Sequence, residues 1–329
     1  MGKTQSLRHS VPCRAAATLF ALVSQVPGSA AIAQGSGEYP SVVSASAGNS
    51  WRVFYAAADL LTADTRAIVP HRLDLSYGDD PRQKLDLYLP SSPRPNAPVL
   101  IYVHGGNFIE GDRSHYGYVA REYARQGIVT IVPSYRLTSQ GHSFPAQIDD
   151  LKDVLRWAGA NIAGYGGSPH DIVIAGHSVG ALMAADVGLD TRWMADHADP
   201  GFAINGLVLI SGRFRPDAGP VGDAYAPTTA LRGAASPIDR IFDPVGRIVI
   251  AYGSNEQARA EASAELARVL TKIRPDSAMQ PCVIELRGAN HADTAMEVAL
   301  ADSTLFAAVL ALFAEPAEAG QPCPHRSGR

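Results

Sequence analysis

Short apolar runs, separated by longer stretches of helical periodicity, constrain the fold more than any other feature of this sequence. They fall at Leu73–Tyr77, Lys84–Leu89, Val99–His104, Ile128–Pro133, Ile172–Ala175, Leu207–Ser211, Ile248–Tyr252 and Val283–Leu286. Helical patterns occupy Ser114–Gln126, Pro145–Ala163, Ser178–Leu189, Glu256–Ile273 and Ala292–Phe313, with another at Trp51–Thr65 ahead of the first run. Gly127 is placed as a helix stop. Leu85-Asp86-Leu87-Tyr88-Leu89 alternates, as a strand with one solvated face does. Val99–Val103 and Ile248–Ala251 are continuous, as expected of central parallel strands covered on both sides. Strand alternating with helix predicts the α/β class: a mostly parallel sheet with helices on both faces. The segment Arg213–Asp243, rich in Pro, Gly and Ala, breaks the rhythm after the sixth run and is expected to form a small cap over a site.

The ends read differently from the middle. Lys3, Arg8 and Arg14 precede an apolar stretch from Ala15 to Val26, then Pro27-Gly28 and Ala31-Ile32-Ala33, which is the layout of a removed secretory signal over residues 1–33. This predicts a secreted or periplasmic protein. Residues 34–69 are expected to hold a flexible leader and the N-terminal helix, 70–313 the catalytic domain, and 314–329 a loosely attached tail. Cys13 would leave with the signal, so Cys282 and Cys323 remain either as a disulfide or as two separate thiols. A formal net charge of −4 argues against a nucleic-acid partner, and no apolar run reaches the roughly 18 residues of a membrane span. The sequence says nothing about oligomeric state.

Candidate chemistry centres on Gly176-His177-Ser178-Val179-Gly180, directly after the run Ile172–Ala175. A serine between glycines, entered from a strand and left into a helix, is the pattern of a nucleophile elbow. A serine hydroxyl needs a base, and the base needs an orienting acid. Glu256 follows the run Ile248–Tyr252 and His291 follows Val283–Leu286, so both fall where ligand sites in parallel sheets cluster. Asp217 is the alternative acid, while Asp293 follows His291 too closely to orient its ring easily. His104-Gly105-Gly106-Asn107-Phe108 leaves a central strand. The N–H groups of Gly105, Gly106 and Val179 are expected to hold an oxyanion, with His104 bracing the loop. Phe108, His177, Phe214 and Tyr225 are candidates for the substrate pocket wall. Arg213 and Arg215 are either solvated surface or an attraction for an anionic substrate. Cysteines are too few, and a His-Glu-x-x-His pattern is absent, so neither a metal nor an organic cofactor is implied.

With these motifs in order, the chain resembles the α/β-hydrolase superfamily, specifically the carboxylesterase branch near hormone-sensitive-lipase-like and arylformamidase-like enzymes. The likeness covers about residues 70–313 and also takes in Tyr77-Gly78, Leu85-Asp86-Leu87-Tyr88-Leu89-Pro90, Tyr135-Arg136-Leu137, Ser236-Pro237, Gly253-Ser254-Asn255-Glu256 and Asn290-His291. It implies an eight-stranded sheet with the second strand antiparallel, and a serine esterase acting on small-molecule esters. Two positions depart from the pattern. Phe108 stands where this branch often carries Trp, and Glu256 where arylformamidase-like enzymes typically carry Asp. The competing expectations are an arylformamidase or amidase with the same machinery, and a non-catalytic binding module on the same fold. Gly164-Tyr165-Gly166-Gly167 precedes a strand rather than following one, so a dinucleotide site is not expected there.

Overall fold

The middle strands are buried through their apolar runs because both faces of the sheet are covered there. Val99, Leu100, Ile101, Tyr102 and Val103 are each fully inaccessible. Alternate residues face opposite layers: Val99, Ile101 and Val103 join one core, Leu100 and Tyr102 the other. The computed structural model describes residues 47–92, 94–195, 201–275, 280–314 and 323. The expected signal (1–33), most of the leader and nearly all of the tail lie outside the described residues.

In chain order the elements are α1 (Ala47–Ile68), β1 (His71–Ser76), β2 (Lys84–Tyr88), β3 (Ala97–Val103), α2 (Ala120–Arg125), β4 (Val129–Pro133), α3 (Ala146–Asn161) and β5 (Gly167–His177). There follow α4 (Val179–Leu189), α5 (Arg192–Ala195), β6 (Ile204–Ile210), α6 (Pro220–Tyr225), α7 (Thr229–Ala234), β7 (Arg247–Gly253), α8 (Gln257–Ile273), β8 (Cys282–Leu286), α9 (His291–Glu297) and α10 (Thr304–Ala311). The strands form one eight-stranded sheet in the order β1-β2-β4-β3-β5-β6-β7-β8. β2 is antiparallel to both β1 and β4, and all later pairings are parallel. The α/β class and the antiparallel second strand are therefore as expected. One core layer is closed by α3, α4 and α8, the other by α1, α2, α9 and α10.

Three local expectations need correction. β2 alternates in sequence yet has no solvated face, since Asp86 is only 2% exposed. Its carboxylate receives Arg66 at 2.9 Å and Arg113 at 3.1 Å, so a buried charge is paired where sequence alone reads solvent. The helix expected over Ser114–Gln126 begins instead as two 3-10 turns, Arg113–His115 and Gly117–Val119. At Gly117 a Cβ would meet the Tyr88 hydroxyl at 2.2 Å, so the chain there passes too close to β2 for a regular helix of larger residues. The long final helix is two: Ser303 accepts from the Phe306 N–H and donates to the Glu297 carbonyl, starting α10 afresh. Arg213–Asp243 folds as α6, α7 and the 3-10 turn Pro237–Asp239. Of the two states left open for Cys282 and Cys323, the disulfide is present, with Cα atoms 5.1 Å apart. Among the described residues no helix is long and apolar enough to cross a membrane.

Candidate active site

β5 ends at His177 and α4 begins at Val179, so Ser178 occupies the turn between them with φ 57° and ψ −119°. This positive-φ conformation, outside the left-handed helical well, is strained for a residue with a Cβ. It is held by close backbone contacts on both sides. A Cβ on Gly176 would lie 2.2 Å from the Gly180 carbonyl oxygen, and one on Gly180 would lie 2.2 Å from that of Val103. The glycines therefore let α4 seat directly on the ends of β3 and β5, and the serine is pushed to the rim.

At that rim the Ser178 Oγ lies 2.9 Å from His291 Nε2, and His291 Nδ1 lies 2.5 Å from Glu256 Oε1. Ser178, Glu256 and His291 lie beyond the carboxyl ends of β5, β7 and β8 respectively. With Nδ1–H donating to the carboxylate, Nε2 is left as an acceptor for the serine proton. The other Glu256 oxygen accepts from the Ser211 hydroxyl at 2.6 Å and the Gly253 N–H at 3.0 Å. Burial pushes the Glu256 pKa up, but the His291 contact, then Ser211 and Gly253, bring it net below its ordinary value. Asp217, the alternative acid, pairs instead with Arg213. Asp293 accepts from the Asn290 N–H in a capping box that starts α9, which fixes where His291 leaves the helix.

Gly105 and Gly106 follow β3 beside the elbow. A Cβ on Gly105 would sit 3.1 Å from the Ser178 Cβ, and Gly106 has φ +126°. Among the described residues neither N–H donates to a protein acceptor. His104 is sandwiched between Tyr116 and Tyr135, with ring centroids at 5.3 and 4.4 Å, and its Nδ1 is 2.6 Å from the Gly105 carbonyl oxygen. Burial lowers its pKa to about 4, so the ring is neutral and Nδ1–H donates to that oxygen.

A cavity of about 150 Å³ opens beside Ser178, lined in part by Asn107, Phe108, Val179, Leu182, Val221 and Tyr225. Phe108 and Tyr225 stack face to face at 3.8 Å. Asn107 and Phe108 both carry positive φ, 53° and 63°, which turns the chain after the glycines along this wall. Two expected wall residues stand elsewhere. His177 is buried behind the nucleophile, its Nε2 3.0 Å from the His291 carbonyl oxygen. Phe214 packs in the core, facing a separate surface recess next to Ile238 and Ala262.

Sequence reasoning missed three contributors. Ser211, just past β6 with φ 49°, reaches Glu256, and Thr294, one turn into α9, lies 2.9 Å from the Ser211 Oγ and 3.2 Å from His177 Nε2. The position of Ser211 at a strand's carboxyl end was a usable signal. Trp51, on α1, meets the His291 ring edge-on at 5.8 Å. Nothing in its sequence neighbourhood points across the chain to residue 291.

A parallel sheet carrying a strained serine, an imidazole and a carboxylate at its carboxyl rim defines the α/β-hydrolase class. Residues 85–202 match the family model BD-FAE. The chain is 30% identical over 272 residues to Esterase LipC of Mycobacterium tuberculosis, a match covering 74% of this chain and 64% of that protein. It is 31% identical over 166 residues to kynurenine formamidase of Danio rerio, covering 50% of this chain and 53% of that one. Esterase B from Lactobacillus rhamnosis is similar in fold, with TM-score 0.64 at 19% identity over 80% of this chain and 90% of that one. The chain has the α/β-hydrolase fold and is similar in sequence to carboxylesterases that share it. It spans under two thirds of the length of both curated relatives.

Proposed function

We propose that this chain is a serine carboxylic-ester hydrolase working through an acyl-enzyme on small-molecule esters. One observation carries the reading: the unbroken hydrogen-bond path from the Ser178 hydroxyl through His291 to Glu256, at 2.9 and 2.5 Å. Ser178 Oγ attacks the ester carbonyl as His291 Nε2 takes its proton. Glu256 holds the ring in the required tautomer and stabilises the imidazolium. The carbonyl oxygen becomes an oxyanion, which the N–H groups of Gly105, Gly106 and Val179 would receive. The imidazolium then gives its proton to the departing alkoxide. Water, deprotonated by the same imidazole, releases the acid and restores Ser178.

A panel of p-nitrophenyl esters of increasing acyl length, run on the wild type and Ser178→Ala, tests this. The alanine variant should lose activity by about 10⁶-fold; comparable turnover by both proteins would remove Ser178 as nucleophile. The kynurenine formamidase relative supports a second reading, formamide hydrolysis by the same groups. Faster turnover of an N-formyl arylamine than of a p-nitrophenyl ester would favour it. Export through removal of residues 1–33 is supported by the Cys282–Cys323 disulfide, which survives best in an oxidising compartment. An exported protein whose N-terminus still includes Met1 would contradict it.

A further inference from the structure

The cavity beside Ser178 is also lined by charge. Arg213, Arg215 and Arg259 all reach it, with Asp217. Two of these arginines have partners. Arg213 pairs with Asp217, and Arg215 lies between Asp239 at 2.6 Å and Glu265 at 2.8 Å. Arg259, in the first turn of α8, is half-buried. Among the described residues its guanidinium has neither a salt bridge nor a hydrogen bond, and only its backbone N–H is engaged, with the Glu256 carbonyl.

Burial first, and the like charge of Arg213 second, pull the Arg259 pKa below its ordinary value, while Glu256 and Asp217 act the other way through space. Both carboxylates are committed to closer partners, His291 and Arg213. An arginine remains protonated at any working pH, so the cavity keeps a fixed, partly desolvated cation with donors unused. A guanidinium's planar fork matches a carboxylate in two parallel hydrogen bonds. The volume of about 150 Å³ is near that of five water molecules, enough for a short segment and its charged end.

We propose that Arg259 receives a carboxylate carried by the substrate, so that the ester this chain prefers is a short, anionic one. This rests on the esterase reading and adds a specificity residue to it. The carboxylate can belong to the acyl part or to the alcohol part, and the recognising chemistry is the same.

Two substrate pairs separate the sources. On the acyl side, 4-nitrophenyl hydrogen glutarate is compared with 4-nitrophenyl pentanoate; on the alcohol side, 4-carboxyphenyl butyrate is compared with phenyl butyrate. In one pair the charged-to-neutral ratio of kcat/KM should fall at least tenfold from wild type to Arg259→Gln, mainly through KM. Arg259→Lys should recover part of that ratio, and added salt should shrink it in the wild type. Labelling of Ser178 by a fluorophosphonate in the Gln variant checks that its site is intact. An equal ratio in wild type and Arg259→Gln for both pairs overturns the proposal. If no ester is turned over, the esterase reading fails separately. Calorimetric titration of the full chain with glutarate and with 4-hydroxybenzoate then decides: binding of either at least tenfold weaker in Arg259→Gln upholds the carboxylate site, and equal or absent binding overturns it.

Discussion

Glu256 divides its two carboxylate oxygens between two sets of partners. Oε1 takes His291 while Oε2 is pinned by the Ser211 hydroxyl and the Gly253 N–H. The side chain is thus fixed at its far end, and the carboxylate stays charged because those contacts outweigh its burial. Glu256→Gln keeps the shape but presents an amide, so the imidazole loses its anionic partner and its tautomer is no longer enforced. Ester hydrolysis should fall by about 10³–10⁴ in kcat with little change in KM, as steady-state kinetics on one p-nitrophenyl ester will report. A loss under tenfold would mean that another group orients His291. Ser178, His291 and Glu256 were legible in the sequence because each follows a strand that declares itself by apolarity. Thr294 and Trp51 were not, because an ordinary threonine or tryptophan acquires a role only when the fold brings a partner from far along the chain; Ser211 offered only its place at a strand's carboxyl end. Arg259 shows the same limit in reverse: Arg213 and Arg215 drew notice as a sequence pair, yet both are neutralised by neighbours, and the unpaired cation is a helix residue with nothing local to mark it.

At the scale of elements, strands were easier to read than helices. Every expected strand is present: the middle ones read as apolar runs because both faces are covered, while β1 and β8 at the edges keep exposed residues. Helix limits were missed where a single side chain decides them. No glycine or proline stands between Glu297 and Thr304, and it is the Ser303 cap that ends one helix and begins the next. The junction of β3, β5 and α4 is where element packing bears on chemistry. Gly180 lies so near β3 that a methyl group would meet the Val103 carbonyl oxygen at 2.2 Å and that of His104 at 2.7 Å. Both are backbone atoms at the root of the glycine loop, so relief requires moving a whole strand end or lifting the first turn of α4. Gly180→Ala should therefore destabilise the fold by about 3 kcal/mol, at the upper end of the 1–3 kcal/mol typical of overpacking. It should also slow fluorophosphonate labelling of whatever folded protein remains. A thermal midpoint within a degree or two of wild type, with unchanged labelling, would show that α4 is not seated as tightly as this.

For the whole molecule, the same burial that shapes the site sets how the protein responds to acid. His104 and His177 are wholly buried on either side of the elbow, and burial drives both pKa values down, His104 to about 4 and His177 well below the usual 6.5 with help from His291. In the unfolded chain both rings take a proton near 6.5, while in the folded chain they stay neutral until the solution is far more acid. The unfolded state thus binds more protons across that window, and stability, complete above pH 6.5, drains away as pH falls toward 4. Asp186 on α4 works in the opposite sense, since burial first of all raises its carboxyl to about 6 against the partial relief of Arg240. The folded chain keeps that proton between pH 6 and 4 where the unfolded chain has shed it, so Asp186 returns part of what the histidines lose. By pH 5 His104 gives up about 2 kcal/mol relative to pH 7 and Asp186 restores somewhat over 1, while His177 adds a further loss in the same direction as His104, so the balance falls with acid. Urea midpoints at pH 7, 6 and 5 will test the balance, with His104→Asn as the control. That variant should be less stable at pH 7, because it gives up the stacking between two tyrosines, yet its midpoint should fall less steeply with acid. A wild-type midpoint that is flat from pH 7 to 5, or an asparagine variant with the full slope, would mean that His104 is reached by protons in the folded state and that the glycine loop it braces opens to water.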